Sequence, residues 1–274
     1  ESSIDYAIKK IQNFETNDVF TNNKLFHKYI TEGIEITDFI DGKTVYHTIK
    51  LIDFDNIKNN EFLVVNQLEI VEDDIKKIPD VIVYVNGIPL VCMELKSTSR
   101  EEVSIEDAYK QLMNYKEVHI PSLFYYNAFL VISDGVNTKA GTITAPFNRF
   151  MEWKKINIED EVKDTLGFDY KNLDTLLYGM FDKERFLDII KNFILFIPKG
   201  KILAQYHQYY GMKKAIDSVI NAVDNDGRAG VVWHTQGSGK SFSMTFLAGN
   251  LIKDKRLESP TILVITDRND LDDQ

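Results

Sequence analysis

The spacing of apolar positions changes several times along the chain, and each change predicts an element. The first forty residues open with "SIDYAIKKIQNF", which reads as helix, and then turn to short strands. "TVYHTIKLIDF" and "EFLVVNQLEI" alternate apolar and polar residues and predict strands of an antiparallel sheet, joined by the polar "DNIKNN". "VIVYVNGIPLVCMELK" predicts a hairpin turning at Asn86-Gly87, with Pro89 just behind the turn. "SIEDAYKQLMNYKEV" predicts a helix with Ser104 at the cap and Asp107 three residues on, a capping-box pattern. "LFYYNAFLVISDG" predicts a strand, and a loop-rich stretch then leads to a helical region over 157–196. From about residue 200 the character changes: "AQYHQYYGMKKAIDSVINAV" is an amphipathic helix, and "SFSMTFLAGNLIKD" is a helix between the short apolar strands "GVVWHT" and "TILVITD". Strand, loop, helix, strand is a βαβ unit, so a parallel-sheet domain begins there.

The predicted class is therefore α/β: a mixed-sheet core with flanking helices over 1–155, a helical connecting region over 156–199, and the beginning of a parallel-sheet domain over 200–274. A length of 274 residues accommodates about two domains of ordinary size. No apolar run reaches the ~20 residues that span a bilayer, which argues against a membrane partner. The net charge of −10 excludes a chain that coats nucleic acid over its whole surface, though not a local groove where metal ions bring phosphates to carboxylates. Cys92, the single cysteine, reads as a buried small hydrophobe, and a chain that cannot staple itself is expected in a reducing, cytoplasmic compartment. The five histidines lack the spacing of a zinc site. The chain starts at Glu1 without methionine and stops within "TDRNDLDDQ", and is read as part of a larger protein.

Within the hairpin, charge stands where apolar residues are expected. Glu94 and Lys96 are two apart and share one face of a strand. A three-residue loop over 86–88 would place Asp80 directly opposite Glu94, and a loop of two or four residues would shift that pairing by one. Two carboxylates and an ammonium then meet on one side of the sheet. Mg2+ binds through one or two carboxylates plus phosphate and water, and a neighbouring Lys can orient a water and stabilise charge on a phosphorane. A surface ion pair on a solvated face satisfies the same spacing. On the following helix, Gln111 and Tyr115 are four apart and share a face.

The order "PD…ELK…QLMNY" resembles the PD-(D/E)xK nucleases with a downstream Q-x-x-x-Y element. Its surroundings, "LIDFDNIKNNEFLVVNQLEI", "PDVIVYVNGIPLVCMELKSTS" and "AYKQLMNYK", resemble the motor and nuclease (R) subunit of type I restriction enzymes over most of residues 25–155. The resemblance implies that Asp80 and Glu94 hold the metal, that Lys96 assists hydrolysis, and that Gln111 and Tyr115 belong to an element needed for cleavage. Such sites often include an additional acidic residue on an early helix, whose identity stays open here.

"HTQGSGKS", 234–241, lies between a predicted strand and a helix, the context of a phosphate-binding loop. Gly237 and Gly239 let backbone N–H groups of the loop, Ser238 among them, turn toward phosphates, and the following helix presents its positive end. Lys240 reaches the β- and γ-phosphates of ATP, and the Ser241 hydroxyl completes a Mg2+ shell. His234 stands where the usual pattern has its first glycine. The core from Thr235 to Ser241 is similar to that of superfamily 2 helicases, where the first glycine is dispensable. "ILAQYHQYY" resembles the glutamine motif that reads adenine in these motors, with Gln208 as the reader and Tyr206 or Tyr209 stacking on the base. "TILVITDRNDLDDQ" resembles the motif that touches the DNA backbone, through Thr266 and Arg268.

Together these resemblances imply Mg2+-dependent cleavage of double-stranded DNA, coupled to ATP-driven translocation, beside methyltransferase and specificity subunits. Two rivals share these residues: a motor with an inactive, nuclease-like docking domain, and a helicase–nuclease fusion without a methylase partner.

Overall fold

The computed structural model describes residues 3–40, 42–97, 104–156 and 172–265. The chain divides into two compact units, Glu1–Leu203 and Ala204–Gln274.

The first unit is mixed α/β. Helices α1 (Ser3–Gln12) and α2 (Val19–Glu32) precede a two-stranded antiparallel ribbon, β1 (Ile34–Ile40) and β2 (Lys43–Ile49). Asp18 caps α2, accepting from Thr21 N at 2.7 Å. The main sheet has five strands in the order β3 (Phe62–Asn66), β6 (Val81–Val85), β7 (Ile88–Leu95), β8 (Phe129–Ser133) and β9 (Thr138–Gly141). Only the β7–β8 pair is parallel. Helix α3 (Ile105–Asn114) makes the crossover between those two strands, which a parallel connection requires. Ile82, Cys92, Leu130 and Ile132 of the sheet pack with Ala108 and Leu112 of α3, and with Phe124 and Phe150, as one core. A short ribbon, β4 (Ile70–Glu72) with β5 (Ile75–Lys77), precedes β6. Helices α4 (Asn172–Met180) and α5 (Lys183–Asn192) and the hairpin β10 (Ile194–Ile197) with β11 (Gly200–Leu203) complete the unit.

The β6–β7 turn is a two-residue loop. Asn86 and Gly87 have φ of 52° and 78°, the left-handed pair that matches the twist of a hairpin. Asn86 tolerates this because its side chain is held: Nδ2 donates to Leu51 O and Asn60 Oδ1, both at 2.9 Å, and Oδ1 accepts from Glu61 N. The pairing begins Val85↔Ile88 and Tyr84↔Pro89, then jumps to Val83↔Val91, so Leu90 is a β-bulge. The expected three-residue loop is thus replaced by a two-residue loop plus one bulged residue. The sum is the same, and Val81↔Met93, continued by one position, puts Asp80 opposite Glu94.

Other expectations are corrected. "TVYHTIKLIDF" and "EFLVVNQLEI" do contain strands, but these are not partners: β2 pairs with β1, and β3 with β6. Alternation marks a strand without choosing its neighbour. "LFYYNAFLVISDG" is strand only over β8, because Pro121 opens a 3-10 helix over Pro121–Tyr125. β9 lies inside the stretch expected to be loop, and the end of the expected helical region is the β10–β11 hairpin.

The second unit contains α6 (Tyr206–Val223) and α7 (Lys240–Lys253). "GVVWHT" and the described part of "TILVITD" are not strands, and Val231, Trp233, Leu263 and Ile265 are exposed. A parallel strand needs a ladder partner and cover on both faces, and the described residues supply neither. No helix among the described residues is long and apolar enough to cross a membrane.

Candidate active site

Five predicted residues meet at the end of β7. Glu94 is the penultimate residue of that strand and is 1% exposed. Lys96, one residue past β7, is aligned by its backbone: Lys96 N donates to Ser133 O of β8 at 2.7 Å. Its Nζ donates to Glu94 Oε1 at 2.7 Å and to Gln111 Oε1 at 2.5 Å. Gln111 Nε2 then donates to the Tyr115 hydroxyl at 2.6 Å. One line of hydrogen bonds therefore runs from the strand carboxylate through the ammonium to the amide and phenol of the helix.

The helix reaches this line because its start and end are both set. Ser104 N donates to Asp107 Oδ2 at 2.8 Å, the reciprocal arm of the predicted capping box. At its other end α3 continues as a π-helix over Tyr115–His119, and such wide turns re-aim side chains. Tyr115, 6% exposed, sits at the transition. Burial, with the Glu94 and Asp80 carboxylates nearby, holds its phenol above the usual range, so it stays a neutral donor.

Asp80 is locked by two donors: Leu95 N reaches Oδ2 and Gln67 Nε2 reaches Oδ1, both at 2.8 Å. Gln67, with φ of 53°, is a functional-looking residue that the sequence reading missed, since one glutamine after a strand carries no signal. Glu94 is different. Its Oε2 is buried with no hydrogen-bond partner among the described residues. Burial pushes its carboxyl up to about 7; the Lys96 bond pulls the other way, and neighbouring Asp80 adds to the rise.

A buried carboxylate oxygen without a donor, beside a second carboxylate, fits a hard divalent cation. Among the described residues no group of three or more His, Cys, Asp or Glu could hold a metal, and Mg2+ needs only one or two carboxylates when phosphate and water complete its shell. Asp80 and Glu94 are the residues that would hold it. Cys92, fully buried, has its thiol pushed up chiefly by burial, and reads as inert core.

The raised Glu94 value gives a testable sign. Between the unfolded value near 4.5 and about 7 the folded chain holds a proton that the unfolded chain has released, so stability falls as pH rises through that window and levels above it. In metal-free buffer, Glu94→Gln is expected to raise the thermal midpoint at pH 8 by about 2–4 °C, as a change of roughly 1 kcal/mol does in a unit of this size. The gain should vanish at pH 4. Calorimetry of both proteins at the two pH values checks it; a Gln variant equally or less stable at pH 8 would show that Glu94 is not strained by burial.

The second unit forms the predicted loop. Gly237 and Gly239 have φ of 78° and 77°, and Gly239 is the N-cap of α7. Lys240 Nζ reaches back to His234 O at 3.0 Å and Thr235 O at 3.2 Å. Ser238 N donates to Thr235 O at 3.3 Å, and Ser241 follows Lys240 in the first turn of α7. Gln208 is buried, its Nε2 donating to Gly239 O at 3.0 Å and its Oε1 accepting from Gln205 N at 2.9 Å. It therefore supports the loop from α6 with both ends of its amide engaged. Tyr209, 5% exposed, is packed edge-on against Tyr210, which removes it as a stacking platform; Tyr206 is half-buried against His207. Thr266 and Arg268 lie outside the described residues.

A family model described as "Type I restriction enzyme R protein N terminus" matches residues 3–149, and one described as "SWI2/SNF2 ATPase" matches residues 207–274. The chain is 42% identical over 282 residues to the type I restriction enzyme HindI endonuclease subunit of Haemophilus influenzae, a match covering 100% of this chain and 26% of that protein. It is 36% identical over 286 residues to the putative type I restriction enzyme MjaIXP endonuclease subunit of Methanocaldococcus jannaschii, covering 97% and 27% respectively. The chain thus spans about a quarter of the length of these curated relatives.

Proposed function

The chain belongs to the type I restriction enzyme R protein family, and on that premise we propose that its first unit is the DNA-cutting centre of an R subunit and its second the start of the motor. The observation that carries this reading is the convergence on Lys96 of Glu94 and Gln111, with Asp80 across the strand pair from Glu94. Mg2+ bound by Asp80 and Glu94 would supply Lewis-acid polarisation of a phosphodiester and a more acidic water. The chain's own residues do the rest. Lys96 spends two of its three N–H bonds on Glu94 and Gln111 and can give the third to a phosphate oxygen or a water. Gln111 and Tyr115 hold the ammonium in place, and the Leu95 and Gln67 donors hold the Asp80 carboxyl group oriented.

In the motor, the amides of 237–239, Lys240 and Ser241 would cradle the phosphates of ATP with their Mg2+, on a sheet of RecA-like type. For Gln208 to read adenine it must exchange its bond to Gly239, and Tyr206, half-buried at the start of α6, is the candidate ring to stack on the base. The whole subunit would cut double-stranded DNA after translocation, in a cytoplasmic complex with methyltransferase and specificity subunits to which base recognition is delegated.

Gln111→Ala tests the convergence. In the full-length subunit assembled with those partners, cutting of a one-site circular DNA should slow about 10–100-fold, the usual cost of removing a group that orients a site residue, with ATP hydrolysis unchanged. Cutting at the wild-type rate would reduce the Lys96–Gln111 contact to a surface hydrogen bond.

A further inference from the structure

Lys201 lies on β11, far along the chain from the nuclease residues, yet it is 2% exposed. A fully buried ammonium is costly unless it is well bonded. Its Nζ donates to Asn127 O at 2.7 Å and Asn23 Oδ1 at 2.9 Å and lies 5.3 Å from the Phe196 ring centroid. Burial lowers its pKa well below the ordinary lysine value. Asn23, on α2 and 1% exposed, gives its own Nδ2 to the same Asn127 O at 2.8 Å and to Phe124 O at 2.9 Å. Lys201 and Asn23 thus fix the carbonyl of one residue from two sides. The backbone of Lys201 is held independently: its N donates to Thr144 Oγ1 at 2.8 Å and its O accepts from Thr142 Oγ1 at 2.6 Å.

What Asn127 does next links this lysine to the active site. Asn127 Nδ2 donates to Pro89 O at 2.6 Å, and the adjoining Ala128 N donates to Leu90 O at 2.6 Å. In a regular strand consecutive carbonyls point to opposite edges. Here the segment Asn127–Ala128 takes both, and the residue between the regular pairs is the bulge. Without the bulge, the Tyr84↔Pro89 pairing would continue to place Asp80 opposite Met93 rather than Glu94. A one-residue slip moves every side chain of a strand to the other face, so the two carboxylates share a site only while the bulge holds.

We infer that Lys201 is a positioning residue for the nuclease centre: through Asn127 it holds the bulge at Leu90 that sets Asp80 against Glu94. The inference rests on the nuclease reading proposed above. It gives the β10–β11 hairpin, the last element before the second unit, a part in assembling a metal site built by β6 and β7.

The test uses the full-length subunit in its assembled complex, with Lys201→Met, which keeps the stem and removes the donors. The Mg2+ concentration needed for half-maximal cutting should rise about tenfold, within the range for groups that orient metal ligands. ATP hydrolysis and the cutting rate at saturating Mg2+ should stay near wild type. Mn2+ binding to the subunit without nucleotide, followed by electron paramagnetic resonance, should weaken by the same factor. Thr142→Val, which loosens the same hairpin without touching the ammonium, should lower thermal stability and leave Mn2+ affinity alone. Asn127→Ala, which removes the donor to Pro89 and leaves the carbonyl, should weaken Mn2+ binding as Lys201→Met does. The double variant should be no worse than either single one, because both break one path. Wild-type Mn2+ affinity in Lys201→Met overturns the inference, and should that variant fail to assemble, wild-type affinity in Asn127→Ala overturns it equally. A Lys96→Ala control that still cuts would instead sink the nuclease reading, whatever Lys201 does.

Discussion

Lys96→Ala in the full-length subunit should stop DNA cutting while ATP hydrolysis continues. The ammonium sits 2.7 Å from Glu94 Oε1 and 2.5 Å from Gln111 Oε1, and truncation removes three things together. The buried Glu94 carboxyl, already pushed up to about 7 with Oε2 unpartnered, loses the one interaction that pulls its pKa down most. It is then protonated over more of the working pH range and holds a metal less well. Gln111 and Tyr115 lose the group they orient. A donor within reach of the scissile phosphate or its water disappears. A positioned proton donor or acceptor contributes about 10²–10⁴-fold, so with the metal affinity also impaired a loss of about 10³-fold or more is expected. The measurement follows ATP hydrolysis and cutting of a circular DNA carrying one recognition site, in the same tube. ATP consumed over an intact circle is the expected outcome. Persistent cutting would place the nuclease elsewhere and leave Asp80, Glu94 and Lys96 as a charged strand end.

This centre was legible in the sequence to an unusual degree because its parts are local. Glu94 and Lys96 share a face by strand periodicity, Gln111 and Tyr115 by helix periodicity, and Asn86-Gly87 marks the turn. A three-residue loop and a two-residue loop with a bulge give the same Asp80–Glu94 pairing: the loop is one residue shorter than expected and the Leu90 bulge restores the count. No local pattern marks that bulge. It depends on carbonyls of Pro89 and Leu90 being bonded from Asn127 and Ala128, nearly forty residues on.

The same limit explains the rest. Lys201 in "KGKIL" looks like any solvated lysine, and its burial becomes visible only when α2 and the segment just before β8 close over it. β9, β10 and β11 are four residues each, too short for alternation to show above background. "GVVWHT" shows the opposite failure: its apolar run has strand propensity, but without a ladder partner among the described residues it does not pair, and Trp233 stays 79% exposed. Helices α6 and α7 lie within two residues of their expected limits because their caps lie in the chain itself: the Gln205–Gln208 exchange for one, Gly239 for the other.

Lys240→Ala should abolish ATP hydrolysis and DNA cutting together, which separates it from Lys96→Ala. Two glycines with φ near 77° shape the loop before α7, and the lysine that follows folds its Nζ back onto the His234 and Thr235 carbonyls, across the turn whose amides would receive phosphate. Those carbonyl bonds keep the side chain aimed over the loop, so little reorganisation is needed for it to meet a γ-phosphate. Removing a donor aimed at developing charge costs about 10²–10³-fold in turnover. The N-terminus of α7 and the loop amides remain, so nucleotide binding should weaken less than turnover does. In the proposed subunit translocation must precede cutting, and a stalled motor leaves an intact Asp80–Glu94–Lys96 centre without access to its substrate. The check is again both activities in one tube, together with Mn2+ binding at the nuclease centre, which should match wild type. Cutting that survives the loss of ATP turnover would uncouple the two units and favour a nuclease that acts without the motor. ATP turnover that survives Lys240→Ala would remove 234–241 from the phosphate site altogether.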